Sequence, residues 1–158
     1  MLEERPAYDL IELFFFAYRD FVSDPDRILS EYDFGRAHHR VLHFVDRKPG
    51  LTIAELLDIL KITKQSLNRV LKELIGKGFI EQRPGTSDRR QRLLFTTAIG
   101  HEFAVRLANL QTRRIMRALA SGGDDAKEAA SRFLFAMIDA ADRDQVADLV
   151  FGIGKDPR

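Results

Sequence analysis

The chain of 158 residues has no cysteine and no tryptophan. Without a thiol there is no disulfide framework, no Cys-ligated zinc or iron–sulfur centre, no thiol nucleophile and no thiol redox switch. No apolar run approaches the roughly 20 residues that a membrane-spanning helix requires. Glu3, Glu4 and Arg5 stand where a secretory leader would place basic and then apolar residues, so the expectation is a soluble cytoplasmic protein. A Gly-rich phosphate loop, an H-E-x-x-H pair and a G-x-S-x-G elbow are also missing, and neither an enzyme nor a cofactor is expected. The length suits a single domain able to bury its own core.

The charge is informative once it is divided along the chain. The whole carries a net +1, yet residues 61–92 hold nine basic side chains against three acidic ones. That segment (Lys61, Lys64, Arg69, Lys72, Lys77, Arg83, Arg89, Arg90, Arg92 against Glu73, Glu81, Asp88) is +6, which leaves −5 for the remainder. One basic segment in an otherwise acidic chain points to a local polyanion contact.

Helical periodicity dominates. Residues 6–23 carry Tyr8, Leu10, Ile11, Leu13, Phe14, Phe15, Phe16, Tyr18, Phe21 and Val22, apolar around most of a helix circumference and more than one buried face needs. Such a helix is sunk in a core or packed against a second subunit. Pro25 breaks it. A second helix is expected from Phe34 to Asp46 and a turn at Pro49-Gly50. Thr52 and Glu55 then match a capping box, followed by Ile53, Leu56, Leu57 and Leu60 at i, i+3, i+4, i+7. Thr63 caps the next helix, whose apolar stripe is Leu67, Val70, Leu71 and Leu74, with Gly76 and Gly78 as candidate stops. Phe79 to Gln82 and Arg92 to Thr96 read as two strands of a hairpin around Arg83-Pro84-Gly85-Thr86-Ser87-Asp88. Thr97 caps a long helix from Ala98 to Ala120. After Ser121-Gly122-Gly123-Asp124 one final helix is expected from Asp125 to Val150, with a frayed end from Gly152 to Arg158.

Two short helices joined this tightly form a helix-turn-helix, and the hairpin beside them forms a wing. The second helix presents Gln65, Asn68, Arg69 and Lys72 opposite its leucines, with Thr63, Lys64 and Ser66 at its start. Gln and Asn pair bidentately with adenine, Arg with guanine, while Lys and Ser hold phosphates. Arg89, Arg90 and Arg92, with Arg83 nearby, reach for phosphates or a narrow minor groove, and Asp88 pairs bidentately with the inserted guanidinium.

Phe34-Gly35-Arg36-Ala37-His38-His39-Arg40-Val41-Leu42, the Leu51-to-Gly78 helix-turn-helix, and Asp88-Arg89-Arg90 followed by Thr97-Ala98-Ile99-Gly100 resemble the MarR family of bacterial transcription regulators. The resemblance covers nearly the whole chain. It implies a mainly α fold with a small β-hairpin wing: one domain over 1–158, a winged helix-turn-helix over 34–97, and dimerisation helices over 6–23 and 98–151. It implies a homodimer on a pseudo-palindromic operator in double-stranded DNA, acting as a repressor and released by a small aromatic or anionic effector. Lys64 to Lys72 would lie in the major groove, and Arg90 would enter the minor groove with Asp88 as its partner. His38, His39 and Arg40 are the candidate effector residues. Thr96 departs from the Leu usual in the family, which would loosen the hairpin's exit.

Two rival readings stand beside this one: a winged-helix module that binds a protein partner, and a metal-responsive regulator. His39 and His43 at i, i+4 can share a metal, with Asp46 the only nearby carboxylate on a compatible side. A closed site needs more ligands, so no metal is expected. His101 reads as structural.

Overall fold

The computed structural model describes residues 5–152. The opening residues Glu3 and Glu4 and most of the Gly152-to-Arg158 end lie outside them. Eight α-helices, three short strands and one 3-10 turn follow in chain order. They are α1 (Tyr8–Ser23), α2 (Asp26–Ser30), α3 (Arg36–Arg47), β1 (Leu51–Thr52), α4 (Ile53–Leu60), α5 (Lys64–Gly76), β2 (Ile80–Pro84), β3 (Arg92–Thr96), α6 (Ala98–Ala120), α7 (Ala126–Ala136), the 3-10 turn (Ala140–Asp142) and α8 (Arg143–Gly152).

The local signals act as their chemistry requires. Thr52 Oγ1 accepts the Glu55 amide at 3.2 Å, Thr63 Oγ1 accepts the Ser66 amide at 3.1 Å, and Thr97 Oγ1 accepts the Gly100 amide at 3.0 Å. Each satisfies an amide that a helix start leaves without an intrahelical partner. The capping box at Thr52 is only half made, because the Glu55 carboxylate turns to Lys48 Nζ at 3.5 Å. Lys61 ends α4 in the left-handed region (φ 51°), giving the tight corner between the two short helices. Gly76 stays helical, and Gly78 (φ 81°) is the left-handed stop after α5.

The sheet is antiparallel with order β1-β3-β2. Leu51 pairs with Leu94, while β2 and β3 run from Ile80 opposite Thr96 to Pro84 opposite Arg92. The hairpin expected from sequence thus gains a third strand, too short at two residues to leave a periodic signal. The short helix α2 was likewise unmarked. The single C-terminal helix expected over Asp125–Val150 is broken. No Gly or Pro causes this: Arg143 reaches back and donates to the Ile138 and Ala136 carbonyls, each at 3.0 Å, filling the acceptors that a helix end exposes.

Thr96 does not loosen the hairpin exit. Its hydroxyl donates to Asp46 Oδ1 at 2.9 Å, and His101 Nδ1 meets the same oxygen at 2.8 Å, tying β3, α3 and α6 together. The buried core runs from Ile28 to Leu107, with Val41, Val45, Leu51, Leu56, Leu67, Leu74 and Leu94 closed to solvent. Truncating one such leucine to alanine costs about 2–5 kcal/mol. Helices α1, α7 and α8 contribute no buried residue. Leu13 is 65% exposed and Phe15 61%, with Phe133, Leu134 and Met137 similarly bare. Among the described residues no helix is long and apolar enough to cross a membrane.

Candidate nucleic-acid interface

Helix α5 divides cleanly into two faces. Leu67, Val70, Leu71 and Leu74 are buried, whereas Lys64, Gln65, Asn68, Arg69 and Lys72 are exposed, and Ser66 is half-buried at the first turn. Thr63 is held by its capping bond. Strand β2 packs against this helix, so the hairpin and α5 form one unit.

The tip of the hairpin is held by its own backbone. The Gly85 amide donates to the Gln91 carbonyl at 2.9 Å and the Gln91 amide to the Asp88 carbonyl at 3.1 Å. A Cβ at Gly85 would stand 2.4 Å from the Asp88 carbonyl oxygen, so this turn closes only around glycine. Asp88 does not pair with the Arg90 guanidinium as expected. Its Oδ1 accepts the Arg90 backbone amide at 3.0 Å instead, since a short Asp side chain readily captures the amide two residues on. The Arg89 and Arg90 side chains are left exposed.

Tertiary contacts sort the nine cations of the basic segment. Lys77 donates to the Tyr32 carbonyl and lies over the Phe34 ring, 5.2 Å from its centroid. Arg83 pairs with Glu81 and covers the Phe95 ring at 4.2 Å, so it lies along the hairpin and not at the tip. Lys61 meets Asp142 at 3.6 Å, and Arg69 meets Glu73 at 3.5 Å. Among the described residues Lys64, Lys72, Arg89, Arg90 and Arg92 have no ion-pair partner. All five lie on the exposed face of α5 or on the hairpin, where uncompensated charge raises the local positive potential.

The candidate effector residues separate. A cavity of about 250 Å³ between α1, α3 and α6 is lined by His39 and Arg40 together with Tyr18, Phe21, Arg36, His43, Phe44 and Gln111. Burial pushes His39 down to about 4, with the neighbouring His43 and Arg40 adding to it, and burial also lowers His43. Arg40 donates to the Tyr18 hydroxyl at 3.0 Å. His38 is not part of this cavity. It sits on another face of α3, stacked on Phe34, with Nε2 2.7 Å from Glu73 Oε2. The helix turns His38 toward Phe34 and Glu73 and His39 toward α1, so the two neighbours serve different surroundings. The cavity's aromatic wall was half legible in the apolar surplus of residues 6–23. Gln111 carried no signal.

Asp46 is committed to Thr96 and His101, and among the described residues no three His, Asp or Glu groups come together as a metal site.

The fold has close relatives. Residues 32–91 match the sequence model of the MarR family. The HTH-type transcriptional regulator PetP of Rhodobacter capsulatus is 47% identical over 133 residues, covering 84% of this chain and 80% of that protein. A mutant of MarR from E. coli, solved with operator DNA, superimposes with a TM-score of 0.61 at 23% identity, over 81% of this chain and 91% of that one. FabT of Streptococcus pneumoniae, solved with DNA, does so with a TM-score of 0.65 at 18% identity, over 82% and 92%. The structural likenesses establish the winged-helix fold. The identity to PetP and the family match establish the rest: this chain belongs to the MarR family of winged helix-turn-helix transcriptional regulators, DNA-binding proteins and not enzymes.

Proposed function

We propose that the protein is a homodimeric repressor that binds a pseudo-palindromic operator in double-stranded DNA and leaves it when a small aromatic anion occupies the cavity beside α3. The observation that carries the DNA reading is the set of cations Lys64, Lys72, Arg89, Arg90 and Arg92 on α5 and the hairpin, without an ion-pair partner among the described residues, beside the groove-reading types Gln65, Asn68 and Arg69. The structures of the E. coli and S. pneumoniae relatives with DNA support the same reading. In it, Thr63 to Lys72 enter the major groove, Arg89, Arg90 and Arg92 follow phosphates or the minor groove, and Asp88 shapes the tip from its backbone. Such a regulator works in the cytoplasm, where the chromosome is.

Dimerisation is supported by the bare apolar side chains that α1, α7 and α8 present to solvent, since clustered exposed hydrophobes mark interaction surfaces. Two heads on one paired scaffold would address half-sites about 34–36 Å apart or a multiple of that spacing. The cavity supports this effector class: Tyr18, Phe21 and Phe44 offer ring contacts and Arg40 offers positive charge, while Arg36 is paired with Asp26 at 3.1 Å. The surrounding arginines disfavour a bound metal cation.

Selection of bound fragments from genomic DNA by the purified protein tests the proposal. The expected result is an enriched inverted repeat, bound with an affinity that falls steeply with salt as condensed counterions are released. Binding insensitive to salt, or no enriched sequence, refutes it. Benzoate, used as a probe aromatic carboxylate, should weaken operator binding in the unsubstituted protein and lose that effect in Arg40→Ala.

A further inference from the structure

Glu73 is an acidic residue on the helix that presents the groove-reading side chains, one turn beyond Arg69 and on the same side. Left to itself, a carboxylate there would close on the Arg69 guanidinium and turn its charge toward a phosphate surface. The structure contains a restraint. His38 is buried to 6% exposure, its Nδ1 accepts the Gly35 amide at 3.0 Å at the start of α3, and this leaves the ring hydrogen on Nε2. That N–H donates to Glu73 Oε2 at 2.7 Å, while Oε1 stands a long 3.5 Å from Arg69. The hydrogen bond from His38 is also the main reason the Glu73 carboxyl lies below the usual carboxylate range.

We infer that His38 is a positioning residue for DNA recognition: by holding Glu73 against α3, it keeps Arg69 loosely paired and free to turn to DNA. The inference rests on the DNA reading proposed above and names a control that the expected contact residues do not include. His38 touches no DNA; it acts through Glu73 on Arg69. An exposed Arg–Glu pair at this distance contributes little by itself, so leaving it for a base or phosphate is easy. Freed from His38, Glu73 would form the closer pair and present its charge outward.

The two polar functions of the ring separate by substitution. His38→Asn keeps an acceptor near the Nδ1 position for the Gly35 amide and loses the donor to Glu73. His38→Gln keeps a donor near Nε2 and loses the acceptor. Operator affinity is measured by fluorescence anisotropy, with thermal unfolding and sedimentation as controls on fold and assembly. His38→Asn is expected to bind about tenfold more weakly, His38→Gln to stay within about threefold of the unsubstituted protein, and Glu73→Gln added to His38→Asn to restore binding. In an Arg69→Ala background His38→Asn should have little further effect. A His38→Asn protein that folds and binds normally overturns the inference, as does a loss that Glu73→Gln leaves unrepaired or that persists without Arg69. If Arg69→Ala weakens binding while His38→Asn does not, this inference alone falls. If the unsubstituted protein binds no duplex, the DNA reading falls and this inference with it.

Discussion

Gly100 lies against the backbone of Phe79 so closely that a Cβ on residue 100 would stand 1.9 Å from the Phe79 carbonyl oxygen. That oxygen accepts the Thr97 amide at 3.0 Å, and the Thr97 hydroxyl donates to Gly78 O at 2.6 Å while accepting the Gly100 amide. The start of α6 is thereby latched to the start of the hairpin. Gly100→Ala forces the backbones apart and should cost about 1–3 kcal/mol, as overpacking of an ordered interior does. Urea denaturation measures this; an unchanged midpoint would mean that the latch gives way without cost.

Arg69 and Arg90 should differ in kind. Arg69→Ala is expected to weaken operator binding by about 1–3 kcal/mol and to relax preference at one base position. Arg90→Ala should weaken binding with the dimer intact and reduce the dependence of log affinity on log salt by about one unit if it holds a phosphate. Titrations at several salt concentrations on operator and unrelated duplexes separate the two. Full affinity in Arg90→Ala would remove the hairpin from the interface.

Phe15 on α1 is 61% exposed, so Phe15→Glu disturbs no contact in the core that runs from Ile28 to Leu107. In a dimer packed through α1 it would bury a carboxylate in an apolar seam, which is strongly unfavourable without a partner. Sedimentation should show a folded monomer, and operator affinity should drop at least tenfold because the half-sites are no longer bound by linked heads. A variant that stays dimeric would move the seam elsewhere.

Acid should destabilise the fold through the cavity histidines. His39 titrates near its ordinary value when unfolded and is held down to about 4 when folded. The unfolded chain therefore binds more protons between these values, and the stability tied to a neutral His39 is complete above about pH 6.5 and lost as pH falls toward about 4. His39→Gln should show a shallower decline across that window by thermal unfolding at stepped pH. Parallel curves would assign the effect to other groups.

The helix-turn-helix was legible because its signals are local. Thr52, Thr63 and Thr97 cap helices that start immediately after them, and the leucine stripes of α4 and α5 repeat at helical spacing. The break between α7 and α8 was not legible, since the Arg143 guanidinium that fills the Ala136 and Ile138 carbonyls leaves no mark in composition or period. The same holds for Asp88, whose proximity to Arg90 in sequence is compatible with either a guanidinium or an amide partner.

Sequence alone determined the helical periods, the caps, the basic segment and the surplus of apolar side chains on α1, because each depends on residues within a few positions of one another. Tertiary structure decided which cations keep their charge uncompensated and which are taken up by Glu81, Tyr32 or Asp142. It also set His38 against Glu73 while turning its neighbour His39 into the cavity. Those outcomes depend on groups brought together from distant parts of the chain, and only packing selects among the faces that one helix offers.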